Sequence, residues 1–390
     1  MTSDADVPFL DLGIQTRAVA TDVRAALDRI MASGSFVGGG SVQRFERLFA
    51  DHCGVEDCVG VANGTDAIEL ALRSVGLGRG DRVAIPANTF VATAEAVARV
   101  GATCVAIDCD DQYLLMDPER LDEACRQNAP DAVIAVDLHG QIAPIDDLAQ
   151  VAGRHGAILI EDAAQSQGAL QDGRGIGHGV AAATTSFYPG KNLGAFGDAG
   201  AIVSRSAPII EQIRLLGDHG SRVKYEHEVI GMNSRLDSFQ AEVLLAKLVH
   251  LERWNAERRA AADRYHELLD SVPGLVRPRT RPGNVHVWHL YCIRIPGRDP
   301  VATALGNAGI ATGIHYPTPV HRTAAFRDSV ELGSPDGCPV ADRASAELLS
   351  LPMFPGITGA QQERVAEELR SALAIVNERP KTSEPLQPNR

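Results

Sequence analysis

The sequence has no surplus of positive charge: Lys and Arg number 37 against 50 Asp and Glu, a formal net charge of −13. Nucleic-acid backbones and anionic lipids both select Lys/Arg patches, so neither a nucleic-acid partner nor a membrane surface is expected. An anionic ligand must then meet a local positive field. Long apolar runs are missing too. The opening MTSDADVPFLDLG has no basic start and no apolar stretch, and nothing approaches the length of a membrane span, so a cytoplasmic location is expected. The seven Cys show neither CxxC nor Cys/His spacing, and their number is odd. They read as reduced core thiols, with no disulfide framework and no metal centre. Internal repeats are absent. After the first strand VANGTDA stands where a nicotinamide-binding fold would need G-x-G-x-x-G.

What is present fits a soluble globular chain. The 390 residues are 45% hydrophobic and 22% charged, enough for a sizeable core and for two domains or one large domain with an appendage. Residues 16–33 carry apolar residues at helical spacing, SFVGGG interrupts them, and SVQRFERLFADHC resumes. From Cys58 the pattern alternates. VGVAN, RVAIP, TCVAI, DAVIAVDL and AILIED read as strands, separated by the helices DAIELALRSVGL, TFVATAEAVARV, PERLDEACRQ and IDDLAQVAGRHG. Short connections between them imply an α/β fold with a mostly parallel sheet covered on both faces. Ligands of such sheets bind beyond the carboxyl ends of the strands. That rule gathers the turn at 63–65, Phe90, HGQ at 139–141 and EDAAQ at 161–165 on one edge.

These residues carry chemistry. Asn63-Gly64-Thr65 opens a helix, where free N–H groups and the macrodipole hold phosphate, although a plain capped Asn-Gly turn would read the same way. Asp162 ends an apolar strand and needs a cation such as a pyridinium N–H, unless it caps the next segment. Phe90 offers a flat face for stacking. Lys191, in TTSFYPGKNLGAFGDAG, is held in a turn by Pro and Gly among apolar neighbours, which favours a nucleophilic amine able to form a Schiff base. Ser186 can present its hydroxyl to an anion beside that amine. Together they suggest a phosphorylated aldehyde.

AGAIVS reads as a strand and PIIEQIRLLG as a helix. The loop 217–237 then brings Asp218, His219, Arg222, Lys224, Tyr225, His227, Asn233 and Arg235 in quick succession. A loop this long is uncommon without a function, and a positive field for an anionic substrate is expected, in its own chain or across a subunit boundary. Residues 234–270 read as strongly helical, leaving the core after Trp254. Beyond them WHLYCIRI and ATGIHY read as strands, VATALGNAG and RVAEELRSALAIV as helices. The expected division is a large domain at 1–250, a smaller C-terminal α/β domain at 251–377, and a disordered tail at 378–390.

Nine segments in order carry a resemblance: NGTDAI (63–68), NTFVATAEAV (88–97), EDAAQSQGA (161–169), SFYPGKNLGAFGDAGA (186–201), GMNSRLDSFQAEVL (231–244), WNAERR (254–259), HLYCIR (289–294), GIHYPTPVH (313–321) and LSLPMFP (349–355). With them the chain, from about Leu12 to about residue 376, resembles the DegT/DnrJ/EryC1/StrS family of pyridoxal-phosphate-dependent sugar aminotransferases. The resemblance implies the aspartate-aminotransferase-like fold (fold type I), pyridoxal 5′-phosphate as cofactor, and a homodimer with shared active sites. It implies Lys191 as the Schiff-base lysine, Asp162 as partner of the pyridine nitrogen, Gln165 at the ring hydroxyl and Phe90 as the stacking aromatic. Gly64, Thr65 and Ser186 would hold the phosphate, joined by Asn233 from a neighbouring subunit. A lysine at 191, where dehydratase-type members carry His, implies transamination from L-glutamate to a nucleotide-linked keto-sugar. GIHYPTPVH and LSLPMFP look more like members acting at C-3 of a dTDP-linked 3-keto-6-deoxyhexose than like C-4 members. His315, Tyr316 and His321, with His219, Lys224, Tyr225 and His227 of the loop, are candidates for binding that substrate. One segment departs from the pattern: VDLHGQ at 136–141 places Asp137 and His139 where relatives commonly have His and Tyr, which leaves an unusual sugar or an aminocyclitol, with glutamine as donor, open. A non-catalytic relative would be expected to lack Lys191, Asp162 or a phosphate ligand; none is lacking.

Overall fold

Five-residue stretches of small and β-branched residues build the centre of the protein, seen in a computed structural model that describes residues 6–378, with the side chains of 375–378 excepted. The expected disordered tail lies, from residue 379 on, outside the described residues. The strands are β1 (Asp57–Val61), β2 (Arg82–Pro86), β3 (Thr103–Ile107), β4 (Ala132–Val136), β5 (Ile158–Asp162), β6 (Ala182–Ser186) and β7 (Gly200–Ser204). They join one eight-stranded sheet in the order β1-β7-β6-β5-β4-β2-β3, with Glu331–Leu332 on the outer edge of β3. β7 runs antiparallel to β1 and β6; the other pairings are parallel.

The helices are α1 (Leu12–Ser33), α2 (Gly39–Cys53), α3 (Gly64–Ser74), α4 (Val91–Val100), α5 (Pro118–Asn128), α6 (Ile145–His155), α7 (Ala207–Gly217), α8 (Ser238–Leu248), α9 (Leu251–Leu268), α10 (Arg298–Asn307), α11 (Pro339–Glu347) and α12 (Gly359–Glu378). Period-two alternation divides the sheet between them. Val133, Ala135 and Leu159 face one core with α2, α5, α6 and α8. Ile134, Val136 and Ile160 face another with α3, α4 and α7. Burial on both faces is why the strands are apolar nearly throughout. The sheet is therefore the middle layer of three.

A further core forms around an antiparallel pair, β8 (Tyr291–Arg294) with β9 (Leu348–Leu351), covered by α9, α10 and α12. Val7 belongs to this core and bridges to Ile310, so the start of the described chain packs against C-terminal elements.

Several expectations need correcting. Residues 234–270 are not one helix: the chain turns at Val249 and His250, sending α8 against α1 and α9 against α12. ATGIHY is not a strand; Gly313 alone bridges, to Ser350, because the segment turns away at His315 and Tyr316 toward the sheet edge. WHLYCIRI narrows to β8. β6 (AATTS), α11 and β9 were not anticipated; AATTS lacks the Val and Ile that mark strands, yet lies buried in mid-sheet.

Candidate active site

The carboxyl ends of β5 and β6 and the starts of α3 and α4 surround a cleft of about 580 Å³. α3 begins directly after β1, and Asn63 caps it, its Oδ1 accepting the Asp66 N–H at 2.8 Å. The next two N–H groups belong to Gly64 and Thr65, at the start of the helix where donors have no intrahelical partner, and both residues line the cleft. Ser186, at the end of β6, lies against them. A Cβ on Gly64 would come within 2.7 Å of the Ser186 Cβ, so only glycine permits this approach. The result is a cradle of donors at a helix N-terminus, suited to phosphate.

Opposite it sits Asp162, 6% exposed. Its Oδ2 accepts the Thr93 hydroxyl at 2.9 Å and its Oδ1 the Ala164 N–H at 3.2 Å. Burial raises its pKa, opposed by these two donors and by Lys191. A carboxylate so placed is completed by a cation.

Lys191 stands in the loop after β6. Its backbone N–H donates to Tyr188 O at 2.8 Å, and Ala195 N to Phe187 O at 2.7 Å, closing the loop. Burial pushes its amine down to about 8, with Asp162 pulling the other way. Neighbouring Asn192 is anchored through Nδ2 to Val287 O and Asn255 Oδ1, both at 2.9 Å. The Asn192 oxygen is thereby left to accept, so His289 donates from Nδ1 at 3.2 Å and keeps Nε2 as an acceptor. His289 also lines the cleft, and its pKa is lowered far by burial and then by Lys191.

Phe90 and Tyr316 form an aromatic wall, their ring centroids 5.1 Å apart. Gln165 ties this wall to the sheet: its Nε2 donates to the Tyr316 hydroxyl at 3.1 Å and its Oε1 accepts the His139 N–H at 2.6 Å. His315 lines the cleft, held by Ser350 at 2.8 Å and stacked on Phe9, and burial lowers it to about 4.

The chain matches the DegT/DnrJ/EryC1/StrS aminotransferase family over residues 18–370. It belongs to that family. It is 43% identical over 367 residues to the erythromycin biosynthesis sensory transduction protein EryC1 of Saccharopolyspora erythraea, covering 94% of this chain and 99% of that one. It is 41% identical over 365 residues to a dTDP-3-amino-3,4,6-trideoxy-alpha-D-glucose transaminase of Streptomyces venezuelae, covering 93% and 95%. Among solved structures, S. venezuelae DesV in complex with a ketimine intermediate gives a TM-score of 0.90 at 40% identity, covering 94% and 98%.

As a DegT-family aminotransferase the chain depends on pyridoxal phosphate, and the donor set fits that group. The Gly64 cradle suits the phosphate, Asp162 is buried with no salt bridge among the described residues, and Lys191 offers an amine of lowered pKa. Gly64, Thr65, Phe90, Asp162, Gln165, Ser186, Lys191, His315 and Tyr316 all border this one cleft.

Other expected residues do not. His321 is buried away from the cleft, 3.2 Å from Asp342 of α11, because the short helix Val320–Arg322 turns it there. Asn233, His219, Lys224, Tyr225 and His227 lie on an exposed excursion that does not reach the cleft of its own chain. Nor does this loop make a positive field, since Asp218 pairs with Arg235 and Glu228 with Arg222. Asp137 and His139 sit beneath the cleft wall; His139 Nε2 donates to His315 O at 3.2 Å.

Sequence reasoning missed Phe9, Leu138, Tyr188, His289 and Leu290, all of which line the cleft. Only His289 carried a signal, as a lone His opening an apolar strand.

Proposed function

We propose that this aminotransferase moves the amino group of L-glutamate to C-3 of a dTDP-linked 3-keto-6-deoxyhexose. The observation that carries the transamination reading is the pairing, in one cleft, of a low-pKa Lys191 amine with a buried Asp162 carboxylate. The C-3 reading is supported by the 41% identical relative named as a dTDP-3-amino-sugar transaminase.

When bound, pyridoxal phosphate supplies an electrophilic carbonyl and an electron-accepting ring. Gly64, Thr65 and Ser186 hold its phosphate through N–H and hydroxyl donors. Phe90 would cover a ring face and Gln165 would reach the ring hydroxyl. Asp162 would keep the ring nitrogen protonated. Lys191 would hold the group through its amine, and that amine, when free, would take the proton from the glutamate α-carbon and return it one atom away. With the keto-sugar, Lys191 runs the same transfers in reverse. Tyr316 and His315 face the sugar.

A homodimer completes the site in this reading. Tyr225 is 82% and Ile230 89% exposed on the 217–237 loop, apolar surface that a second copy would cover. Asn233 then meets the phosphate of a partner's cleft, and His219, Lys224, Tyr225 and His227 face its substrate.

The test is a half-reaction. Enzyme is treated with L-glutamate, freed of donor, and mixed with a dTDP-3-keto- or dTDP-4-keto-6-deoxyglucose while the absorbance of lysine-bound cofactor is followed. Return with the 3-keto sugar alone is expected. Return with the 4-keto sugar alone moves the reaction to C-4, and return with neither, after a successful glutamate step, points to a keto-cyclitol.

A further inference from the structure

Two buried acids under the cleft take no part in the reaction described above. Glu161 precedes Asp162 on β5, and strand alternation turns its side chain to the opposite face of the sheet. Asp137 follows β4, its backbone N–H donating to the Asp162 carbonyl at 3.0 Å. Glu161 is 1% and Asp137 0% exposed.

Their oxygens can be followed one by one. Asp137 Oδ1 accepts the Ala143 N–H at 2.8 Å, and its Oδ2 accepts the Ser166 hydroxyl at 2.6 Å. Glu161 Oε2 accepts the Gly177 N–H at 2.6 Å, whereas its Oε1 is buried with no donor. The two carboxyl groups nevertheless lie within hydrogen-bonding reach of each other. Two carboxylates cannot bond unless one carries a proton. Asp137 already has a donor on each oxygen and is served best as the anion, which leaves the proton to Oε1 of Glu161.

Among the described residues no cation offers an alternative. The charged or titratable groups facing the pair are Asp162 beside it on β5, Cys53 from α2, and Asp146, Arg174 and His178 around a small cavity next to Glu161. Arg174 is committed to Asp146. His178 is held below its ordinary pKa by burial and then by Arg174. Burial pushes both acids upward; the Asp137 charge and hydrogen bond push Glu161 further, whereas the hydrogen bond from Glu161 draws Asp137 back down.

We propose that Glu161 is a protonated carboxylic acid that donates from Oε1 to Asp137, and that the pair is a positioning device for the 162–166 turn that meets the cofactor. Asp137 grips Ser166, next to Gln165, whose amide joins His139 and Tyr316. The shared proton leaves one negative charge beneath Asp162 instead of two, so Asp162 can stay ionised against the ring nitrogen. The positioning half rests on the cofactor roles proposed above for Asp162 and Gln165; the protonation half does not.

Glu161→Gln keeps a donor where the acid proton sits and removes the ionisation. Glu161 has a folded pKa raised above its unfolded value, so the stability it contributes is complete below the unfolded value and is lost as pH rises toward the folded one. Between about pH 5 and about pH 9, the Tm of the wild-type apo-protein is therefore expected to fall relative to that of E161Q. Asp137→Asn, which removes the anion that holds the proton, should flatten that fall. Parallel Tm curves for wild type and E161Q would overturn the protonation. Should E161Q not fold, the infrared spectrum of wild-type apo-protein at about pH 8 decides: a protonated-acid C=O band that disappears on unfolding in urea is expected, and its absence overturns the proposal. For positioning, Glu161→Ala is expected to weaken pyridoxal phosphate binding about tenfold, and unchanged affinity overturns that half. A wrong sugar leaves every one of these readouts unmoved.

Discussion

The ammonium of Lys247 on α8 donates to the Gly194 carbonyl at 2.6 Å, three residues beyond Lys191. Lys247 is 2% exposed, burial pushes its amine down to about 8, and the amine also lies 4.8 Å over the Phe196 ring. A Cβ at Gly194 would strike the Pro189 carbonyl, so the loop folds tightly back on itself just where Lys247 ties it to the helix. One buried lysine thus holds the loop that presents another.

Lys247→Met keeps the volume and removes the donor. Leaving the Gly194 carbonyl without its partner costs about 1–3 kcal/mol, so a lower Tm and weaker pyridoxal phosphate binding are expected together. Thermal unfolding and a cofactor titration check both. An unchanged Tm would mean that the bond contributes nothing.

The Lys191 amine predicts a pH profile. Its pKa is lowered to about 8, chiefly by burial, with Asp162 pulling it up. The free base that attacks the cofactor aldehyde therefore accumulates as pH rises, and capture of pyridoxal phosphate by apo-enzyme should quicken about tenfold per pH unit below that value, then level off. Asp162→Asn removes the upward pull and should move the midpoint to lower pH. A midpoint that stays put would deny the coupling.

Gly64→Ala tests the phosphate cradle. The new Cβ meets Ser186 at 2.7 Å, so either the start of α3 or Ser186 must give way. Affinity for pyridoxal phosphate should drop about tenfold, or 1.4 kcal/mol, while binding of pyridoxal without phosphate changes far less. Equal losses for the two ligands would place the phosphate elsewhere.

Tyr316→Phe takes the acceptor from Gln165 Nε2, at a cost of about 1–2 kcal/mol. If Tyr316 faces the sugar, KM for the keto-sugar should rise several-fold while the glutamate half-reaction stays near wild type. A defect confined to the glutamate step would reverse that assignment.

The cleft was legible in the sequence wherever chemistry and local turn signals coincide. Asp162 after AILI and Asn63-Gly64-Thr65 ahead of a helix each announce their place on the sheet edge, and Pro189-Gly190 with Gly194 mark Lys191 as held in a turn. The His315-Tyr316 wall came from resemblance alone, and its segment was misread as a strand because ATGIHY alternates like one. Neither Phe9 nor Leu290 could be read, since an apolar residue that lines a cleft is indistinguishable in sequence from one that fills a core. His321 misled for the converse reason: a three-residue helix decides its direction, and no local pattern marks that turn. The loop 217–237 read as positively charged because its Arg residues stand out, whereas their pairing with Asp218 and Glu228 depends on how the chain folds back.

The central claim is that Lys191 holds the cofactor. The chain offers four lysines for comparison, Lys191, Lys224, Lys247 and Lys381. The holoenzyme is reduced with borohydride, digested, and its peptides mapped for the phosphopyridoxyl group by mass spectrometry. The account predicts the label on Lys191 alone, with Lys247 unmodified despite its equally lowered pKa. Label on Lys247, or an unlabelled Lys191 in a protein that still transaminates, would contradict it.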